Sequence, residues 1–217
     1  MRRLLIALAA STVSVAAHAA TWTNPLTGHS YQSISHGSAI TWTQAKVAAE
    51  TLGGYLVTIT DAFEQSLVYS MIANDATMWL PVAATHGPWI GLFQASGSPE
   101  PSGGWQWVTG EAYSYTNWLP GEPNNEPTNS LGNEAFGHFH GNWGPSSPYW
   151  NDTAHNGYPN APVASYIVEI DPPPPPPPPP PTAMPEPSSA ALLATFGVWH
   201  LIRQTRRRYA QFPEHSI

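Results

Sequence analysis

Cysteine is absent from all 217 residues, so no disulfide can hold the fold together. Stability must come from a packed core, helped where needed by a bound ion. Basic residues are nearly as scarce in the body of the chain. All six arginines lie at positions 2–3 and 203–208, which leaves Lys46 alone against twelve acids between 21 and 171, a net of −11. A domain with that field repels phosphate backbones and anionic membrane surfaces and draws cations, which excludes nucleic-acid binding. A glycine-rich phosphate loop and a nucleophile–base–orienter arrangement are also missing, and the chain is expected to be no enzyme.

What is present is divided sharply along the chain. Arg2 and Arg3 precede an uncharged run from Leu4 to Ala17 that is too short to cross ~30 Å of hydrocarbon, and Ala17-His18-Ala19 offers a small-residue cleavage site. Residues 1–19 therefore read as a secretory signal peptide, with the exported chain starting near Ala20 or Thr21. Ten consecutive prolines, Pro172 to Pro181, end the folded part. With φ fixed and no donors they form an extended spacer of roughly 30 Å at ~3.1 Å per residue, within a linker over 172–184. Then come Pro185-Glu186-Pro187, an uncharged stretch from Ser188 to Ile202, and Arg203, Arg206, Arg207 and Arg208, followed by a tail over 209–217. This order over 185–208 resembles the PEP-CTERM sorting signal of Gram-negative bacteria. The resemblance implies transient insertion of the segment into the inner membrane with the arginines cytoplasmic, processing by an exosortase, and a final place at the cell surface or in the extracellular matrix.

Residues 21–171 carry the globular domain. Thr41 with Gln44 and Asp61 with Glu64 each have capping-box spacing. The first opens a helix whose buried face is expected to hold Trp42, Ala45, Ala49 and Leu52, stopped by Gly53. The second opens one with a stripe of Phe63, Leu67, Val68, Met71 and Ile72. Strand patterns fall at Ser30–Ser35, Leu56–Ile59, Trp89–Phe93, Trp105–Val108 and Ala164–Ile170. From Ser96 to Pro162 the chain is mostly Gly, Pro, Asn, Ser and Trp, which reads as long ordered loops rather than regular elements. The class is α+β.

Several motifs then occur in a fixed order: Gly53-Gly54-Tyr55-Leu56-Val57-Thr58-Ile59, Trp89-Ile90-Gly91-Leu92, Trp105-x-Trp107, Gly121-Glu122-Pro123-Asn124, Trp150-Asn151-Asp152 and Tyr166-Ile167-Val168-Glu169. Together they resemble the C-type lectin-like domain over nearly all of residues 28 to 171. The resemblance implies that family's fold, with two helices, short antiparallel strands and a long loop region, here without disulfides. It also implies a cis peptide before Pro123 and calcium held by Glu122, Asn124, Glu134, Asn151 and Asp152, with Glu126 as the alternative to Glu134. Calcium needs six to eight oxygen ligands, which these carboxylates and amides can supply. Two vicinal sugar hydroxyls would join them, hydrogen-bonded by Glu122, Asn124, Glu134 and Asn151. The Glu-Pro-Asn form implies mannose- and glucose-type ligands, so the implied partner is a glycan or exopolysaccharide and the implied activity is that of a lectin.

Two other readings compete for these residues. His138 and His140, in His-x-His spacing, would point both rings to one face of a strand, and with His155 as the third imidazole they suggest zinc. Glu122 and Glu134 could instead serve as the paired carboxylates of a polysaccharide hydrolase.

Overall fold

Thr41 opens the first helix by the reciprocal bonds its spacing predicts. In the computed structural model of the chain, which describes residues 21–80, 86–126, 133–141, 144–157 and 162–179, Thr41 Oγ1 accepts from the Gln44 amide at 3.2 Å. Gln44 Oε1 accepts from the Thr41 amide at 3.0 Å. Helix α1 runs Trp42–Thr51 and buries Trp42, Ala45 and Ala49. Leu52 does not join that face; it caps the helix with its side chain exposed, and Gly53 turns the chain away at φ +83.

Helix α2, Ala62–Ile72, keeps half of the expected box. Asp61 Oδ1 accepts from the Glu64 amide at 2.9 Å, but the Glu64 side chain does not return to the Asp61 amide. It turns inward, where it accepts from Tyr31 Oη at 2.6 Å and the Thr60 amide at 2.8 Å. A buried carboxylate with several donors outcompetes an exposed cap. The helix is correspondingly rotated from its predicted stripe: Val68, Met71 and Ile72 are buried with Glu64 and Gln65, while Phe63 is exposed.

Eight strands form one sheet: β1 Thr21–Thr23, β2 Ser30–Ser35, β3 Tyr55–Leu56, β4 His86–Gln94, β5 Trp105–Trp107, β6 Phe136–His140, β7 Trp150–Thr153 and β8 Ser165–Ile170. Their order is β1-β2-β8-β4-β6-β7, with β3 added to β8 and β5 to β4. Pairings are antiparallel except β4 with β8. Strands β6 and β7 correct the expectation that residues 96–162 hold loops. Phe-Gly-His-Phe-His and Trp-Asn-Asp-Thr lack an apolar alternation of their own; pairing of β6 with β4 and of β7 with β6 makes them strands, and tertiary context decides.

Tryptophans lock the core at specific points. Trp42 Nε1 donates to the Ile90 carbonyl and Trp89 Nε1 to the Ile40 carbonyl, each at 2.8 Å, which ties α1 and its approach to β4. Gly91 follows Ile90 on β4, where a Cβ would fall 2.4 Å from the Leu56 carbonyl oxygen. The chain divides into two units, Met1–Pro173 and Pro174–Ile217. The predicted signal peptide and sorting segment lie outside the described residues, among which no helix is long and apolar enough to cross a membrane.

Candidate functional site

The loop after β5 has little regular structure, yet it is fixed by aromatic contacts. Trp118 packs edge-on between Trp105 and Trp150, with centroids 4.9 and 6.0 Å away, and its Nε1 donates to Tyr113 Oη at 2.7 Å. Leu119 donates its amide to the Trp150 carbonyl at 2.8 Å and Trp150 returns one to Asn117 at 2.9 Å. The following residues, Gly121 to Glu126, are thereby carried against β7.

Asp152 on β7 receives them. It is fully buried, and its two carboxylate oxygens accept the backbone amides of Asn124 at 3.2 Å and Asn125 at 2.9 Å. The Glu122–Pro123 peptide is cis, as the sequence implied, and Asn124 Nδ2 donates to Glu122 Oε1 at 3.1 Å. Asn125 sits at φ +47, a region that Asn tolerates better than most residues. From there its Oδ1 accepts the Glu134 amide at 3.0 Å, while Glu134 Oε2 accepts the Glu126 amide at 2.8 Å. Four acids, Glu122, Glu126, Glu134 and Asp152, are thus gathered on one loop–strand junction. Asn151 is buried beside them on β7, with its amide donating to the Asp152 carbonyl at 2.6 Å.

Four acids at one junction repel one another, and burial adds to the cost of their charge. Lys46, the one base among the described residues, pairs with Glu50 on α1. Burial, then the Asp152 carboxylate and the charges of Glu134 and Glu126, push the Glu122 carboxyl up to about 8. Its Oε2 is buried with no hydrogen-bond partner. Burial also raises Asp152, opposed by the amides of Asn125 and Asn124. The donor set is carboxylate and amide oxygen throughout, which suits a hard cation such as calcium, so the residues fit the ion the sequence implied. Their carboxylates are more widely spread than in a second acidic group, His29, Glu64 and Glu169, whose ligand atoms all lie within 4.8 Å of one another.

That second group is a core ion pair. His29 Nδ1 lies 2.5 Å from Glu169 Oε1, and Glu169 Oε2 accepts the Thr58 amide and hydroxyl at 2.9 Å each. Burial works against charge on His29, but the bond and charge of Glu169 outweigh it and raise the imidazole above its usual value. No local signal in the sequence announced this pair, whose members stand 140 residues apart. The role of Asn125 was also missed; the visible clue was an Asn following Pro-Asn in a turn-forming stretch.

His155 is not the third imidazole beside His138 and His140. Its Nε2 bonds Thr43 Oγ1 at 2.8 Å, its Nδ1 lies 3.0 Å from Asn156 Oδ1, and its ring packs on Phe136.

The family model for the lectin C-type domain matches residues 38–158. The chain is similar to a perlucin-like protein of Mytilus galloprovincialis, 37% identical over 116 residues that make up 53% of this chain and 63% of that protein. It is also similar to chondrolectin of Mus musculus, 30% identical over 169 residues, covering 73% of this chain and 59% of that one. The chain therefore spans less than two thirds of either relative. Among solved structures, the cow C-type carbohydrate-recognition domain of CD23, determined in the presence of GlcNAc2Man3 oligosaccharide, superposes with a TM-score of 0.46 at 24% identity over 66% of this chain and 88% of that one.

Proposed function

Because the chain belongs to the lectin C-type domain family, we propose that it is an exported carbohydrate-binding protein whose loop site uses calcium to hold a glycan of mannose or glucose type. The observation that carries this reading is the gathering of Glu122, Glu126, Glu134 and Asp152 at one junction, with one oxygen of Glu122 buried and unbonded. Such a cluster calls for a cation, and its all-oxygen donors select a hard one.

Glu122, Asn124, Glu134, Asn151 and Asp152 would hold the ion, and calcium there would supply further coordination positions for two adjacent sugar hydroxyls. The rest is done by the chain. Asp152 holds the loop through the Asn124 and Asn125 amides. Glu122 is the acceptor that a sugar hydroxyl would donate to, and the Asn124 amide is a donor that a hydroxyl would accept from. Carboxylates here serve recognition rather than general acid–base work, and the protein is proposed as a non-enzyme. Export through residues 1–19, exosortase processing near Pro185-Glu186-Pro187, and residence at the surface or in the matrix of a Gram-negative bacterium complete the proposal, with exopolysaccharide as the partner.

One observation favours a second reading, a calcium-independent module for protein contacts or matrix structure. Asn124 already satisfies one Glu122 oxygen. Thermal unfolding with calcium and with chelator separates the two. A ligand that binds the native state alone stabilises it by about 2.7 kcal/mol at a hundredfold excess over its Kd, so identical curves would leave the second reading in place. If calcium does stabilise the chain, a multivalent glycan array with Glu122→Gln/Asn124→Asp tests the sugar. Preference is expected to move from mannose-like toward galactose-like ligands with roughly tenfold loss for the original sugar. Unchanged binding by the double variant would remove these two residues from sugar recognition.

A further inference from the structure

Strand β4 begins at His86, and its antiparallel register sets that residue opposite His140 on β6. His138, two residues earlier on β6, points to the same face as His140, and a register shift between His86 and Trp89 lets the three rings approach one another. Ring centroids are 4.8 Å apart for His86 and His138, 5.9 Å for His86 and His140, and 6.0 Å for His138 and His140. All three residues are buried, and His138 completely so. Neither ring nitrogen of His138 makes a hydrogen bond of ordinary geometry.

Packing alone does not account for this. Burying a polar ring costs free energy that Phe or Leu at the same position would not, and here three imidazoles face one another across two strands. The triangle they form has a useful size. One point lies about 3.3 Å from all three centroids, close to the ~3.2 Å that an ion bonded at ~2.1 Å to a ring nitrogen keeps from that ring's centre. As they lie, the nitrogens span more than 4.8 Å, and rotation about each Cβ–Cγ bond is the movement that turns one nitrogen of each ring inward.

We propose that His86, His138 and His140 form a site for one transition-metal ion that prefers imidazole, zinc foremost, separate from the carboxylate junction. Calcium, which takes oxygen ligands, is not suited to it, and zinc takes three histidines with a fourth position left for another donor. An ion there joins β4 to β6, the strand that also pairs with β7 and so backs Asn151 and Asp152. In a chain without cysteine, it would serve as a cross-brace where a disulfide is impossible.

The test uses the full chain, stripped of metal and kept in excess calcium so that the carboxylates are occupied. Titration with zinc sulfate is expected to show one equivalent bound with a rise in melting temperature, and cobalt(II) chloride in its place should give the visible absorption of a four-coordinate site. His86→Gln and His140→Gln should each weaken zinc binding at least tenfold, while His155→Gln and His29→Gln leave it unchanged. Absence of zinc binding, or full binding in both His86→Gln and His140→Gln, would overturn the site. So would loss of binding in His29→Gln or Glu134→Gln, which would place the ion elsewhere. Should the histidine variants fail to fold, zinc-edge X-ray absorption of the unaltered chain decides: three imidazole nitrogens are expected, and an all-oxygen shell rejects the proposal.

Discussion

The carboxylate junction makes a quantitative demand on stability in the absence of calcium. In the fold Glu122 titrates at about 8, against an ordinary value of 4.5. The unfolded chain therefore releases this proton first, and folding loses stability as pH rises from about 4.5 to about 8, with no further change above that range. At ~1.4 kcal/mol per pKa unit the full shift would be worth about 5 kcal/mol. Glu122 is only part-buried, however, and solvent screens the charges around it, so about 1–2 kcal/mol is expected. For a domain of this size that is a fall of roughly 2–8 °C in melting temperature. Other groups also titrate in this window. His29, Glu169 and Asp152 are raised and add to the loss as pH rises, whereas His138 and His140 are lowered and weaken the fold toward acid pH. The informative quantity is thus the difference between the natural chain and Glu122→Gln, which cannot ionise at that position. Melting curves followed by circular dichroism in chelator at pH 5 and pH 8 should show a smaller alkaline loss in Glu122→Gln, and calcium should reduce the loss in the natural chain alone. Parallel pH profiles for the two proteins would refute the assignment of the strain to Glu122.

Three further outcomes concern the stability of the fold. Glu64→Ala removes the acceptor of the buried Tyr31 hydroxyl and of the Thr60 amide, and at ~1–3 kcal/mol per unpaired group urea denaturation should show a loss of about 3 kcal/mol or more. Gly91→Ala places a Cβ 2.4 Å from the Leu56 carbonyl oxygen and 3.0 Å from that of Val57, both backbone, and should cost about 3 kcal/mol by the same assay. Gly53→Ala, at positive φ but in open space, should lose about 1 kcal/mol.

What could be read from the chain depended on how local the cause was. Thr41 and Gln44 are three residues apart and satisfy each other's backbone, so that helix start was legible to the residue. Ordered motifs carried the fold as a whole, and the residues Glu122, Asn124 and Asp152 were legible as a group that the structure brings together. Asp61 and Glu64 have the same spacing as Thr41 and Gln44, yet the second box is only half made. The competing donor, Tyr31 Oη, lies 33 residues away and has no mark in the local pattern. Strands β6 and β7 were hidden for a similar reason, since their ladder partners rather than their own composition make them extended. His86 is the clearest case. Its nearness to His140 depends on the register of two strands 54 positions apart, whereas His155, nearer in sequence, is bonded to Thr43 instead.

Buried acids of two kinds show where the chain is finished and where it is open to a ligand. Glu169 is closed off by Thr58 and His29, and Glu64 by Tyr31 and Thr60, so each has its donors inside the protein. Replacing either would damage the fold without informing on function. Glu122 differs in kind. Its neighbours are other acids, one of its oxygens is buried without a bond, and its carboxyl is driven up into the range of neutral pH. Its placement is nevertheless fixed from outside by the packing of Trp118, by Leu119 and by Asp152, whose carboxylate accepts the Asn124 and Asn125 amides. A loop that holds several acids this closely together is costly for a structure that needs no cation. The same junction becomes favourable once a divalent ion neutralises it, which is why the proposed binding site belongs at Glu122, Asn124, Glu134, Asn151 and Asp152 rather than at the tighter His29–Glu64–Glu169 group.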